Sequence, residues 1–142
     1  MISNTYANKV LNLICGVSDA LSLPDKLYLG LSASAPNASS GALPSSNGEP
    51  TAASYARTVV GGSSGTKKFG SASGGIISNN AEIQFLTART DWGTMKYFFL
   101  SESATGVAIL WGEIAGGVTI GAETVPVFYE GDLRASLDVA LD

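Results

Sequence analysis

A catalyst working near neutral pH needs a base, an acid or a metal, and this chain offers few residues for any of them. It has no histidine and a single cysteine, Cys15. The commonest general base and the commonest metal ligand are therefore missing, and no intrachain disulfide can form. Carboxylates and lysines remain. Glu102 and Glu113 lie beside two apolar stretches, Thr94–Ser101 and Val107–Ile114, that would form a hairpin around Ser103–Gly106. Two carboxylates at the right separation can hydrolyse a glycosidic bond, but solvated residues near strand ends give the same pattern, and that is the reading adopted. Gly61-Gly62-Ser63-Ser64-Gly65-Thr66-Lys67-Lys68 has the composition of a phosphate cradle without its spacing, and no helix signal comes after it. No Asp-x-Asp-x-Asp-Gly run suggests a calcium loop, and Asn37-Ala38-Ser39 is a glycosylation sequon only in a secretory pathway. No residue is assigned to catalysis, cofactor binding or metal ligation, and the chain is read as a non-enzyme without cofactors.

Two other groups of residues stand out. Trp92, Tyr97 and Trp111 are aromatics on β-type segments, able to stack on sugar rings or fill a subunit interface, and equally able to fill the core. Glu49 and Arg57 bracket the end of a long loop. A charge pair between them would pin that loop to a sheet, and if partly buried it would be worth more than the ~0–1 kcal/mol of a surface pair.

The elements that must position these residues are set by periodicity. Residues 4–15 repeat apolar side chains at Tyr6, Val10, Leu13 or Ile14, and Val17, with Ser3 or Asn4 to cap the start and Gly16 to end it. A helix this short is marginal alone and needs a surface to lie against. From Lys26 the period becomes two: Leu27, Leu29 and Leu31 face one way. Residues 34–53 are rich in proline, serine and glycine, too long for an idle loop. Further strands are expected at Tyr55–Val60, Ala81–Leu86, Thr94–Ser101, Val107–Ile114, Val125–Tyr129 and Leu133–Leu141, with Gly116-Gly117 and Gly121 as turns. In the last strand Leu133, Leu137 and Leu141 should face inward and Asp132, Arg134 and Asp138 outward. Short strands at close intervals mean a mostly β, antiparallel β-sandwich or jelly-roll-like domain with a short N-terminal helix. The chain reads as a single domain over residues 1–142, with the helix in 1–17 and the sandwich in 26–142.

Bulk properties narrow the partners. The 142 residues suit one domain. Apolar residues are 45% but charged residues only 14%, against ~25% in ordinary soluble domains. The surface must then be covered by Ser, Gly, Thr, Ala and Asn, which fits a protein packed against neighbours. A net charge of −4 argues against nucleic-acid binding. No stretch reaches the roughly 18 apolar residues of a membrane helix. Met1-Ile2-Ser3-Asn4 lacks the basic cluster of an export signal. The lipoprotein-like Leu13-Ile14-Cys15-Gly16 has Ile14 where a small residue is needed, so assembly in the cytoplasm is expected.

The order of motifs resembles a family of small phage and prophage tail-fibre proteins, nearly end to end. The N-terminal helix precedes Pro24 and Leu27-Tyr28-Leu29-Gly30-Leu31-Ser32. Then come Ala35-Pro36, Glu49-Pro50, Tyr55-Ala56-Arg57, Ser78-Asn79, Ile83-Gln84-Phe85, Asp91-Trp92-Gly93-Thr94, Phe128 and Gly131-Asp132-Leu133. No one motif is specific; the series in this order is. Phe98–Gly106 departs from the family pattern, which affects the detail of the hairpin. The resemblance implies a non-enzymatic structural virion protein of tail-fibre or baseplate type. It would self-assemble, as a trimer by analogy with other phage fibres, and contact other virion proteins. The alternatives are a capsid decoration or cement protein, and a carbohydrate-binding module recognising a host surface glycan.

Overall fold

The computed structural model describes residues 1–18 and 21–137. Along the chain run α1 (Asn4–Ile14), β1 (Leu27–Ser32), β2 (Thr58–Gly61), β3 (Ile76–Ser78), β4 (Ile83–Gln84), β5 (Gly93–Ser101), β6 (Ala108–Ile120), β7 (Val127–Phe128) and β8 (Arg134–Ser136). The fold is mostly β, antiparallel throughout, with one short N-terminal helix. Four strands form the main sheet in the order β2-β1-β5-β6, while β3–β8 and β4–β7 form two-stranded ribbons. The second layer is thus two short ribbons and their connections rather than a second full sheet. The Gly/Ser-rich stretch of residues 61–75 and the short spacings after it leave no room for longer pairing.

Alternation in β1 and β5 divides the main sheet into two apolar faces. On one face Leu29, Leu31, Met95, Leu100 and Ile120 pack with Ile83, Phe85, Trp92 and Leu133 from the ribbon layer. On the other, Phe99, Ala108 and Trp111 pack together, joined by Leu43 and Tyr97. Phe99 pairs with Gly30 across the strands, and its ring fills the space a Cβ at Gly30 would need. The residue lacking a side chain thus lets the aromatic lie flat against the sheet.

Three sequence expectations are corrected. Gly116-Gly117 does not end a strand, because β6 runs through it. Tyr97 pairs with Glu113 and Met95 with Val118, so Ile114–Gly117 oppose Lys96 alone. The φ values of +75° and +68° at the two glycines let the strand bulge out and rejoin the ladder, a path costly for other residues. β2 begins at Thr58 rather than Tyr55, because residues 55–57 cross from one face of the sheet to the other. The final strand stops at Ser136. Leu133 is buried and Arg134 exposed, but Leu137 is 70% exposed instead of inward; Asp138 and Leu141 lie outside the described residues.

The N-terminus joins the free edge of β6. Ser3 N–H donates to Ile109 O at 2.9 Å, Trp111 N–H to Met1 O at 2.8 Å, and the Met1 ammonium to Trp111 O at 2.8 Å. Ser3 then caps α1 by accepting from Tyr6 N–H. Beyond Cys15, Val17 N–H donates to Asn12 O and Gly16, at φ +70°, to Leu13 O, which closes the helix with a left-handed glycine.

Candidate functional site

The densest polar site in the described residues forms where the long loop of residues 33–57 returns to the main sheet. Arg57 is its centre, with a side chain only 2% exposed. Its Nε donates to Glu49 Oε1 and its Nη2 to Glu49 Oε2, both at 2.8 Å. This two-pronged geometry is the strongest form of a carboxylate–guanidinium pair. Nη1 donates to Ser101 Oγ at 2.8 Å, Ser103 O at 2.9 Å and Gly106 O at 2.8 Å. The guanidinium also lies over the Phe99 ring, 4.7 Å from its centroid. One side chain therefore ties the loop to the end of β5 and to the turn that leads into β6.

Tyr55 completes the site. Its hydroxyl donates to Glu49 Oε1 at 2.8 Å and accepts Leu31 N–H at 3.0 Å. β2 pairs with β1 only as far as Leu29, so the hydroxyl supplies the acceptor that the ladder no longer provides. Burial, followed by the nearby Glu49 charge, pushes the Tyr55 phenol well above its ordinary value of 10.0. It stays protonated and keeps donating. The Tyr55 ring meets Trp92 edge-on at 5.2 Å and stacks with Phe85 at 6.4 Å, so the same residue reaches the opposite core.

Chemically this arrangement is closed. Each guanidinium nitrogen of Arg57 already has an acceptor, Glu49 is occupied by Arg57 and Tyr55, and the network holds no nucleophile beside a base. Such a network rigidifies a loop when every member is satisfied. Among the described residues no three His, Cys, Asp or Glu side chains converge on a metal-sized space.

The remaining sequence candidates fall elsewhere. Trp92 and Trp111 are 6% and 4% exposed, so neither indole face is open to a sugar. Trp92 Nε1 donates to Ser54 Oγ at 3.1 Å, and Trp111 packs on Phe99. Tyr97 is half-buried beside them. Glu113 pairs with Tyr97, whereas Glu102 lies past the strand end at Ser101. At ~3.4 Å per residue that is roughly 17 Å of strand, too far for paired acid–base work on a glycoside.

A second polar centre, Asn79, gave no signal of its own type. It is 1% exposed. Its Nδ2 donates to Ala81 O at 3.0 Å and Tyr129 O at 2.8 Å, and its Oδ1 accepts Leu133 N–H at 2.9 Å. Its backbone N–H reaches Leu133 O and its carbonyl accepts Gly131 N–H. Asn79 thus joins the chain after β3 to the turn between β7 and β8. Short Ser/Asn segments usually mark exposed turns, which hides such a role in sequence.

The motifs that carry these contacts, from the N-terminal helix through Glu49, Arg57 and Asn79 to Leu133, all fall within one family match. The family model described as podophage GP4 fiber I protein gp80 matches residues 1–136, a span that includes every element from α1 to β8. Comparison with curated proteins gives no match. The chain therefore belongs to the podophage GP4 fiber I protein gp80 family, a family of structural phage fibre proteins.

Proposed function

We propose that the chain is a non-enzymatic structural component of a tailed-phage virion, of tail-fibre or baseplate type, assembled in the host cytoplasm from copies of itself. The observation that carries the reading is the end-to-end family match. The polar site supports it, since Glu49, Tyr55 and Arg57 are used to anchor a loop and are saturated by doing so. A surface poor in charge supports packing against neighbours. Peptide mass spectrometry of purified virions, combined with antibody labelling of intact particles, tests the assignment. The chain should be a particle component with label on the tail. Label spread over the capsid would favour the decoration or cement role, and absence from particles would refute both.

One observation favours host-glycan recognition as a second reading. Tyr129 is 63% exposed, and its N–H donates to Asp132 Oδ2 at 2.7 Å. Both line an open groove of about 440 Å³ beside the C-terminal half of β6. An exposed ring beside a carboxylate suits a sugar. Binding on a glycan array that disappears with Tyr129→Ala would support this role, and a blank array would remove it.

A further inference from the structure

Helix α1 leaves the body with one apolar face uncovered. Its base is fixed: Asn4 N–H donates to Ala38 O at 3.0 Å, Thr5 N–H to Ser39 O at 3.1 Å, and Tyr6 is 7% exposed. Beyond that first turn, Leu11 is 58% exposed, Leu13 45% and Ile14 72%. Ala7, Leu11 and Ile14 are spaced by four and then three residues, which aligns them along one side of the helix. Val10 and Leu13 widen the stripe on one flank. Asn4, Asn8 and Asn12 occupy the opposite side, all exposed. Tyr6 turns to the body, and the part of the stripe beyond it is left unpartnered.

We propose that this face is covered by the same face of two further copies, with three α1 helices packed in parallel around a threefold axis through Ala7, Leu11 and Ile14. The inference rests on the self-assembly proposed above and names the surface responsible. Charge is the first argument. The one ionisable side chain on α1 with a full charge is Lys9, which lies over the Tyr6 ring at 4.5 Å. The stripe itself offers nothing for an unlike partner to pair with, whereas symmetry alone aligns identical copies in length and register. Area is the second. The uncovered apolar surface of one such helix is roughly 400 Å², the scale of the largest patch on an ordinary monomer. Two copies together reach only the size of a crystal contact, about 800 Å², and three reach the ~1,200 Å² floor of a specific interface. The third is breadth. A helix in a pair buries a narrow seam and keeps charged flanks, but here the flank is Val10 and Leu13, which a second neighbour would cover. Ala7, nearest the body, lets the three backbones approach closely at the base.

Light scattering on the full chain, with Leu11→Asp/Ile14→Asp as the variant, tests this. Both substituted positions are exposed, so the variant should keep the wild-type thermal transition. The wild type should show three times the chain mass of 14.5 kDa, and the variant a threefold drop to one chain. In a Cys15→Ser background, Ile14→Cys should give covalent dimers on oxidation and Asn8→Cys should not. A folded variant that keeps the wild-type mass, with no cross-link at position 14, would overturn the seam while leaving self-assembly standing. A wild-type mass of two chains would overturn the threefold arrangement. A wild-type chain that remains monomeric at high concentration would overturn both readings. If the double variant fails to fold, the cross-linking pair alone decides.

Discussion

Arg57 turns a long polar loop into a fixed part of the fold. Its side chain is buried, and removing it strands Glu49 and the carbonyls of Ser103 and Gly106 without their donor. Arg57→Ala should therefore cost about 3–5 kcal/mol, as loss of one partner of a buried pair does. Urea unfolding should show a lower midpoint at unchanged slope. Arg57→Lys should recover little of this, because an ammonium cannot reproduce the two-pronged contact. Tyr55 adds a pH signature. Its phenol is held above the ordinary 10.0 in the folded chain, so above that pH the unfolded state loses its proton first. The unfolded state then binds fewer protons, and stability falls as pH rises past about 10. A thermal-midpoint series from pH 8 to 11 should show the decline, and Tyr55→Phe should be less stable at neutral pH with a shallower alkaline slope. Glu49 and Arg57 bracket one loop in sequence and meet in space. The other acceptors of Arg57 are illegible there, since they are backbone carbonyls and a serine 44 to 49 residues away with no residue-type mark.

Among the elements, the strands with clean alternation were readable. Leu27, Leu29 and Leu31 set β1, and the run through Phe98–Leu100 set β5. Short elements were not: β3 has three residues and β4 and β7 two each, too few for a period to show. β3 exists because β8 pairs with it and Asn79 locks its end. This ribbon therefore depends on the C-terminal residues that complete it. Truncation after Gly131 removes β8, the buried Leu133 and the Leu133 N–H that Asn79 holds. One buried leucine is worth ~1.5–3 kcal/mol, and the orphaned Asn79 groups add about 1–3 kcal/mol each. That is a large share of the ~5–15 kcal/mol of a typical domain, so the truncated chain should lose its cooperative thermal transition by circular dichroism. A truncated chain that melts cooperatively would show the ribbon to be dispensable. The glycine pair in β6 reads as a turn because adjacent glycines usually punctuate chains, and only the ladder resuming at Val118 shows that here they make a bulge.

For the whole molecule, composition and motif order point the same way. A chain with 14% charged residues has little to keep it apart from its neighbours, and the uncovered face of α1 provides a place for them. The fold class was legible because alternation and turn spacing are local properties. The helix's surroundings were not, because an apolar stripe looks alike whether it packs on its own body or on another subunit. The central claim is that this is a fibre-type structural protein of the virion, and cryo-electron microscopy of the parent particle tests it most directly. The account predicts density for this fold attached to the tail, in clusters of three, with the α1 helices together at the cluster axis. Density for the same fold distributed over the capsid lattice, or a complete particle without it, would contradict the account.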